Sequence, residues 1–126
     1  TTTRRMSPIT VHILDTALGQ PASGVLVQLA RAEHTDPTQF APDAKLTQLA
    51  SGHTNADGRL LDLLAAGSLQ LGVYQLRFDT ASYFARTQRV GFYPSVSVLF
   101  EIRAAHEHYH VPLLLSPFGY STYRGT

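Results

Sequence analysis

The sequence predicts an all-β protein, a sandwich of two antiparallel sheets built from seven to eight short strands. Apolar and polar residues alternate through most of the chain, which is the period of a half-buried strand. Gly, Pro, Asn and Asp separate the alternating segments at short intervals, as in sandwiches. The chain has 126 residues, a length that suits one domain and is too short for two ordinary ones.

The predicted strands follow one another along the chain. The first, Ile9–Asp15, is closed by the turn-forming Gly19-Gln20-Pro21. Asp57-Gly58 is a second strong turn signal, because glycine accepts the positive φ of tight turns. Residues 59–67 fit either a strand or a helical stripe of leucines. The other predicted strands are 25–32, 46–54, 72–79, 95–103, 109–115 and 120–124.

Two segments depart from the strand pattern. Residues 80–87 (TASYFART) predict one short helix with Thr80 as its N-cap. Residues 34–45 contain two prolines and little periodicity, so they predict a long surface loop. We expect a flexible leader over 1–6 and a single domain over 7–126.

The composition excludes several classes of function. The chain has no cysteine, which rules out disulfides, a thiolate nucleophile and zinc–cysteine sites. A formal charge of +1 gives no reason to expect nucleic acid or an anionic membrane as a partner. No apolar run approaches the ~20 residues that span a bilayer, and no signal-peptide core precedes the first strand. We expect a cytoplasmic protein, or a periplasmic one if a signal was removed before Thr1.

Charged residues are scarce in this sequence. They make up 15% of the chain, against roughly 25% in ordinary soluble domains. A small domain with so few charges is typical of a protein that buries part of its surface in an oligomer.

Histidine is the residue type here that is best suited to proton transfer or metal binding, because its pKa lies near neutrality. His106, His108 and His110 alternate, so a continuous strand would point all three to one side. That spacing fits an exposed strand edge, a metal site or a catalytic histidine. We predict no metal, because Glu107 would face the opposite way and no other nearby carboxylate completes a site.

His12 and Arg59 are further candidates. His12 lies in an apolar strand and shares a face with Thr10 and Leu14; it is either a catalyst or a buried core or interface group. Arg59 follows the Asp57-Gly58 turn. Its guanidinium is either solvent-facing or placed to hold a planar carbonyl or an oxyanion. These residues taken alone indicate no particular reaction.

Three separated segments make the sequence similar to the 5-hydroxyisourate hydrolases, the transthyretin-related protein family. They are the first strand with the following Gly19-Gln20-Pro21-Ala22, the turn 54–59 (TNADGR) and the C-terminal run 108–126 (HYHVPLLLSPFGYSTYRGT). The segments occur in the family's order, and the likeness spans residues 7–126. By residue type alone, the end of that run is either an edge strand or a functional tail.

The resemblance implies a transthyretin-like sandwich with one short helix. It implies a homotetramer with active sites at the dimer–dimer interface, and no cofactor. It assigns catalysis to His12, Arg59 and His110. The family's C-terminal Tyr-Arg-Gly-Ser signature corresponds here to Tyr123, Arg124, Gly125 and Thr126, with a threonine in place of the usual serine. The resemblance implies that these four residues bind the substrate.

The implied reaction is the hydrolysis of 5-hydroxyisourate to 2-oxo-4-hydroxy-4-carboxy-5-ureidoimidazoline in purine (urate) degradation. A histidine would activate water and Arg59 would hold this purine-derived small molecule. The alternative is a non-catalytic transthyretin-like carrier of a small ligand. His12, Arg59, His110 and the terminal signature together favour the enzyme, because transthyretin itself has other residues at these positions.

Overall fold

A computed structural model describes residues 7–33, 36, 38 and 44–126. The described residues contain nine strands and one helix. The predicted leader over 1–6 and most of the predicted loop over 34–45 lie outside these residues. The elements are β1 (Ile9–Asp15), β2 (Gln20–Pro21), β3 (Leu26–Ala32), β4 (Leu46–His53), β5 (Arg59–Leu60), β6 (Gly72–Phe78), α1 (Thr80–Arg86), β7 (Val96–Ile102), β8 (Tyr109–Ser116) and β9 (Gly119–Thr122).

The strands form two sheets, which confirms the predicted fold class. The β3 sheet has the order β4-β3-β6-β7 and is antiparallel throughout. The β1 sheet has the order β2-β1-β8-β9, and the short β5 also pairs with β1. This second sheet is mixed rather than antiparallel, because β1 and β8 run parallel. Most of the chain separates these two strands, so no hairpin fixes their relative direction.

The core lies between the two sheets and follows the predicted alternation. On β1, Ile9, Val11 and Ile13 are fully buried. They belong to the same buried cluster as Val27 and Leu76 of the opposite sheet. The intervening side chains of β1 therefore face the other way, onto the outside of the sandwich.

Two predictions of local structure need correction. The helix is capped by Asp79 instead of Thr80, since the Asp79 carboxylate accepts from the backbone N–H of Ser82. Thr80 is the first helical residue, and its hydroxyl donates to the carbonyl of Tyr93. Of residues 59–67, only Arg59–Leu60 form a strand and none are helical. None of the helices among the described residues is long and apolar enough to cross a membrane.

A buried carboxylate connects the end of β1 to the helix. The Asp15 side chain has no exposed surface, and it accepts from Arg89, from the Tyr83 hydroxyl and from the backbone N–H groups of Ala17 and Leu18. Burial alone would raise the pKa of Asp15, but these hydrogen bonds outweigh it and hold the pKa below the ordinary range. The first strand is thereby fixed against α1.

Candidate active site

Strand register brings His12, Arg59 and His110 onto one surface. Arg59 on β5 lies opposite His12 on β1, and His110 on β8 lies opposite Thr10, two residues before His12. Residues opposite one another in paired strands share a face. The imidazole centroids of His12 and His110 are 6.4 Å apart. We call this surface the outer face; it is the side of the β1 sheet that points away from the core.

The turn before β5 positions Arg59 and also contacts His12. The Asn55 side chain accepts from the backbone N–H groups of Asp57 and Arg59. Gly58 has a φ of 73°, and a Cβ there would lie 2.4 Å from the Ile13 carbonyl oxygen. Only glycine fits this position, so the turn packs directly against β1.

The Asp57 carbonyl fixes the tautomer of His12. It lies 3.1 Å from His12 Nε2, and a carbonyl oxygen can only accept a hydrogen bond. Nε2 must therefore carry the proton, and in the neutral ring Nδ1 keeps the lone pair.

His110 is held from two sides. Its Nδ1 lies 2.8 Å from the Thr10 hydroxyl. Its backbone carbonyl accepts from the N–H of Gly125 at 2.8 Å, and a Cβ on Gly125 would lie 2.7 Å from His110 Cδ2. The glycine of the terminal signature therefore packs against the predicted catalytic ring, while Nε2 is left for other contacts.

Both histidines have a pKa below the ordinary value. For His12 the causes are first burial and then the charge of Arg59. For His110 they are burial, Arg59, and the neighbouring His108 and His12. These effects disfavour the charged ring, and at His12 they outweigh Asp57, whose carbonyl and carboxylate act to raise the pKa. The neutral form therefore predominates in both imidazoles at pH 7. A neutral imidazole can take a proton from water, and the neighbouring Arg59 guanidinium can stabilise a developing oxyanion.

Two further residues of the terminal signature lie beside a groove of about 590 Å³ between β7 and the start of β8. His110, Tyr123 and Arg124 all line it. The Arg124 guanidinium stacks 4.3 Å from the centroid of the Tyr109 ring and pairs with Glu107 at 3.1 Å. Tyr123 and Thr126 are exposed. His110 is thus the member of the predicted site that adjoins both the groove and His12.

The three alternating histidines do not act as one set. His106 is exposed in a turn that ends before β8, because the strand begins only at Tyr109. His108 does share a face with His110, and its Nε2 lies 3.0 Å from the Thr10 hydroxyl. No three His, Asp or Glu side chains among the described residues are grouped to hold a metal ion.

Thr10 is the residue of this site that the sequence analysis did not select. Strand periodicity places it only on the same face as His12. Strand alternation, which puts Thr10 on the face of His12, is the one signal in the sequence that points to Thr10. Its two histidine partners lie about 100 residues away along the chain. No local pattern reports such a contact.

Comparison with known proteins supports the resemblance seen in the sequence. Residues 9–125 match the model of the HIUase/Transthyretin family. The 5-hydroxyisourate hydrolase of Mus musculus is 43% identical over 120 residues, which cover 95% of this chain and 96% of the mouse protein.

Solved structures agree with this relationship. The 5-hydroxyisourate hydrolase of Klebsiella pneumoniae has a TM-score of 0.76 and 36% identity, covering 94% of this chain and 98% of that one. Sea bream transthyretin in complex with thyroxine has a TM-score of 0.82 and 32% identity, covering 95% and 96% of the two chains. The match covers nearly the whole chain in sequence and in fold, and the chain belongs to the HIUase/transthyretin family.

Proposed function

We propose that the protein hydrolyses 5-hydroxyisourate to 2-oxo-4-hydroxy-4-carboxy-5-ureidoimidazoline, a step of urate degradation. The observation that carries the proposal is the placement of two imidazoles 6.4 Å apart, with Arg59 opposite one of them. The mouse and Klebsiella relatives, which are named 5-hydroxyisourate hydrolases, support the same substrate.

The proposed mechanism uses only side chains and water. One neutral imidazole, at His12 Nδ1 or His110 Nε2, accepts a proton from water as its oxygen attacks a carbonyl carbon of the substrate. Arg59 stabilises the negative charge that forms on the carbonyl oxygen. The C–N bond then breaks, and the proton passes to the leaving nitrogen. Water is consumed and the histidines return to the neutral form, so the reaction balances without a cofactor.

Substrate binding is proposed for Tyr123, Arg124, Gly125 and Thr126. Gly125 packs on the His110 ring, and Tyr123 and Arg124 line the groove that His110 also lines. A planar guanidinium suits a substrate rich in carbonyl oxygens. The hydroxyl of Thr126 keeps the hydrogen-bonding capacity of the serine that it replaces.

We also propose that the active form is a homotetramer with its sites at the dimer–dimer interface. Large apolar side chains are exposed on the single chain: Phe118 is 77% exposed, Phe92 69% and Leu99 62%. His12 and His110 lie on an open sheet surface, and a second subunit would close it. Sedimentation at micromolar concentration should give a species of four 13.8-kDa chains; a stable monomer would contradict this assembly.

The activity is tested by adding the protein to freshly generated 5-hydroxyisourate and following the decay of its absorbance. We expect a rate well above the spontaneous one, and an unchanged rate would refute the hydrolase. The second candidate is a small-ligand carrier, which the likeness to thyroxine-bound sea bream transthyretin favours. A carrier would bind without accelerating the decay.

The cellular compartment of the protein stays a prediction, cytoplasmic or periplasmic.

A further inference from the structure

Thr10 is a buried polar residue on the outer face. It is 1% exposed, although His12 and Leu14, the next side chains on that face of β1, are only half-buried. Its hydroxyl oxygen lies 2.8 Å from His110 Nδ1 and 3.0 Å from His108 Nε2. The two rings are nearly parallel, with centroids 6.4 Å apart. One hydroxyl group therefore joins two imidazoles.

This geometry couples the tautomers of the two rings. A neutral imidazole has one N–H, and a hydroxyl donates one proton but can accept twice. If the buried Thr10 hydroxyl accepted from both rings, its own proton would have no acceptor, which is costly, so it donates to one ring and accepts from the other. If Thr10 accepts from His110 Nδ1–H, its own proton goes to His108 Nε2, and His110 Nε2 keeps its lone pair. If Thr10 donates to His110 Nδ1, it accepts from His108 Nε2–H, and His110 Nε2 carries the proton. In the first state His110 is a base at Nε2, and in the second it is not.

We infer that Thr10 and His108 are positioning residues for His110. Thr10 accepts from His110 Nδ1–H and donates to His108 Nε2, which leaves the lone pair of His110 on Nε2. The assignment of Nε2 as the atom that takes a proton from water rests on the proposed function. The direction of the two hydrogen bonds is chosen on that same ground, whereas the contacts of the Thr10 hydroxyl with both rings do not depend on it.

The arrangement is unchanged when His110 accepts that proton. The imidazolium still donates from Nδ1 to Thr10, so no proton moves along the chain of hydrogen bonds, and Nε2 later returns its proton to the leaving nitrogen. The groups that face His110 are His108, His12 and Arg59, and each is a cation when charged. A second proton on His108 Nε2 would turn its acceptor into a donor and leave the Thr10 proton without that partner.

Histidine ring ¹⁵N NMR of the full protein at pH 7.5 tests the arrangement without substrate. We expect His110 in the Nδ1–H form in the wild type and in Thr10→Ser. Thr10→Val removes the acceptor for Nδ1–H, so we expect the Nε2–H form. His108→Phe removes the acceptor for the Thr10 proton, which then turns to His110 Nδ1 and gives the same change.

A matched control is Thr16→Val, which removes a hydroxyl that donates to the Leu115 carbonyl just after β1. Its His110 signals should match those of the wild type. A wild-type His110 in the Nε2–H form, or Thr10→Val signals equal to those of the wild type, would overturn the inference. Circular dichroism checks folding; if Thr10→Val is unfolded, His108→Phe, at an exposed ring, decides the question.

Steady-state kinetics test the positioning role. Thr10→Val should lower kcat by about 10- to 100-fold with KM within about twofold, because ring orientation acts on the chemical step. Thr10→Ser should keep kcat within about threefold, and His106→Phe should have no effect. A Thr10→Val variant with full kcat would overturn the role. An inactive wild type would refute the proposed function, while the NMR result would still decide the hydrogen-bonded arrangement.

Discussion

Arg59 lies directly opposite His12 in the pairing of β5 with β1, and its charge acts on His110 as well. One guanidinium therefore adds to the effect of burial in lowering the pKa of two histidines. In the proposed mechanism, Arg59 therefore both stabilises the substrate and influences the protonation state of the two histidines. The effect of Arg59 can be measured in the pKa values of the two histidines and in the pH dependence of kcat/KM.

Replacing Arg59 by glutamine should raise the pKa of both His12 and His110. Removing the cation makes protonation of each ring less costly, while burial still opposes it. NMR titration of the ring protons measures both midpoints. Arg103→Gln is the control, because Arg103 is exposed and pairs with Glu101. Midpoints that stay in place or fall in Arg59→Gln would contradict this account.

The pH profile of kcat/KM should show the same shift. The wild type needs neutral imidazoles, so activity should fall only as the pH drops through their lowered pKa, below the ordinary 6.5. In Arg59→Gln this acid limb should move to higher pH. The plateau should fall by about 100- to 1000-fold, the usual loss when one oxyanion-stabilising donor is removed. A limb that moves to lower pH would rule out the charge effect.

Replacing either His12 or His110 by asparagine should lower kcat/KM by about 100-fold or more. Asparagine keeps a polar side chain but cannot take up a proton near neutral pH, and general acid–base catalysis typically contributes about 10²–10⁴-fold. Absorbance decay of 5-hydroxyisourate measures the loss. His106→Asn, in the exposed turn before β8, should keep wild-type activity. Full activity in either site variant would remove that histidine from the mechanism.

Gly125→Ala should reduce activity and leave stability nearly unchanged. The added Cβ would lie 2.7 Å from His110 Cδ2, so the ring or the tail has to move. A displacement of about 1 Å in a catalytic group can cost on the order of 100-fold, whereas the free energy of unfolding should change by less than about 0.5 kcal/mol. Gly119→Ala is the matched control, because its Cβ would meet only Ser116 Oγ, at 3.8 Å. Equal activity of the two variants would show that Gly125 does not position His110.

Asp15→Asn should lower the free energy of unfolding by about 3 kcal/mol at pH 7. The change breaks one partner of a pair whose carboxylate is fully buried, and Arg89 then keeps its charge without a counter-ion. Urea denaturation measures the difference. Asp62→Asn, at an exposed position, should change stability by no more than about 0.5 kcal/mol.

The stability difference between Asp15→Asn and the wild type should depend on pH in one direction. The folded pKa of Asp15 lies below its unfolded value of about 3.8. The carboxylate therefore stabilises the fold at all pH values above the unfolded pKa, and this contribution disappears as the pH falls through the folded pKa. The difference should be constant from pH 7 to about 5 and shrink below about pH 4. A difference that vanishes already at pH 6 would contradict this.

The short β2 and the direction of β8 are two features of the fold that sequence patterns do not predict. Alternation predicts β1 because seven residues with one buried face show the period clearly. Two paired residues such as Gln20–Pro21 show no period, so β2 is not among the predicted strands. The parallel pairing of β1 with β8 depends on how the whole chain is wound between them.

The candidate site also has features that the sequence indicates and features that only the structure shows. Local sequence placed His12 on the same face of its strand as Thr10 and Leu14, placed Arg59 after a glycine turn, and carried the family resemblance. It did not show that Arg124 stacks on Tyr109 and pairs with Glu107. It also did not show that Thr10 joins His108 and His110.

The sequence by itself determined the all-β sandwich and its helix, and it was enough to propose His12, Arg59 and His110 as site residues, because each depends on alternation, turn chemistry or residues within short segments. Only the tertiary structure decided which nitrogen of His12 carries the proton, which direction β8 runs and which residues contact the His110 ring. Those features depend on contacts between residues far apart along the chain, such as His12 with Asp57, 45 positions apart, and Thr10 with His110, 100 positions apart. Such contacts form only once the strands have paired in register.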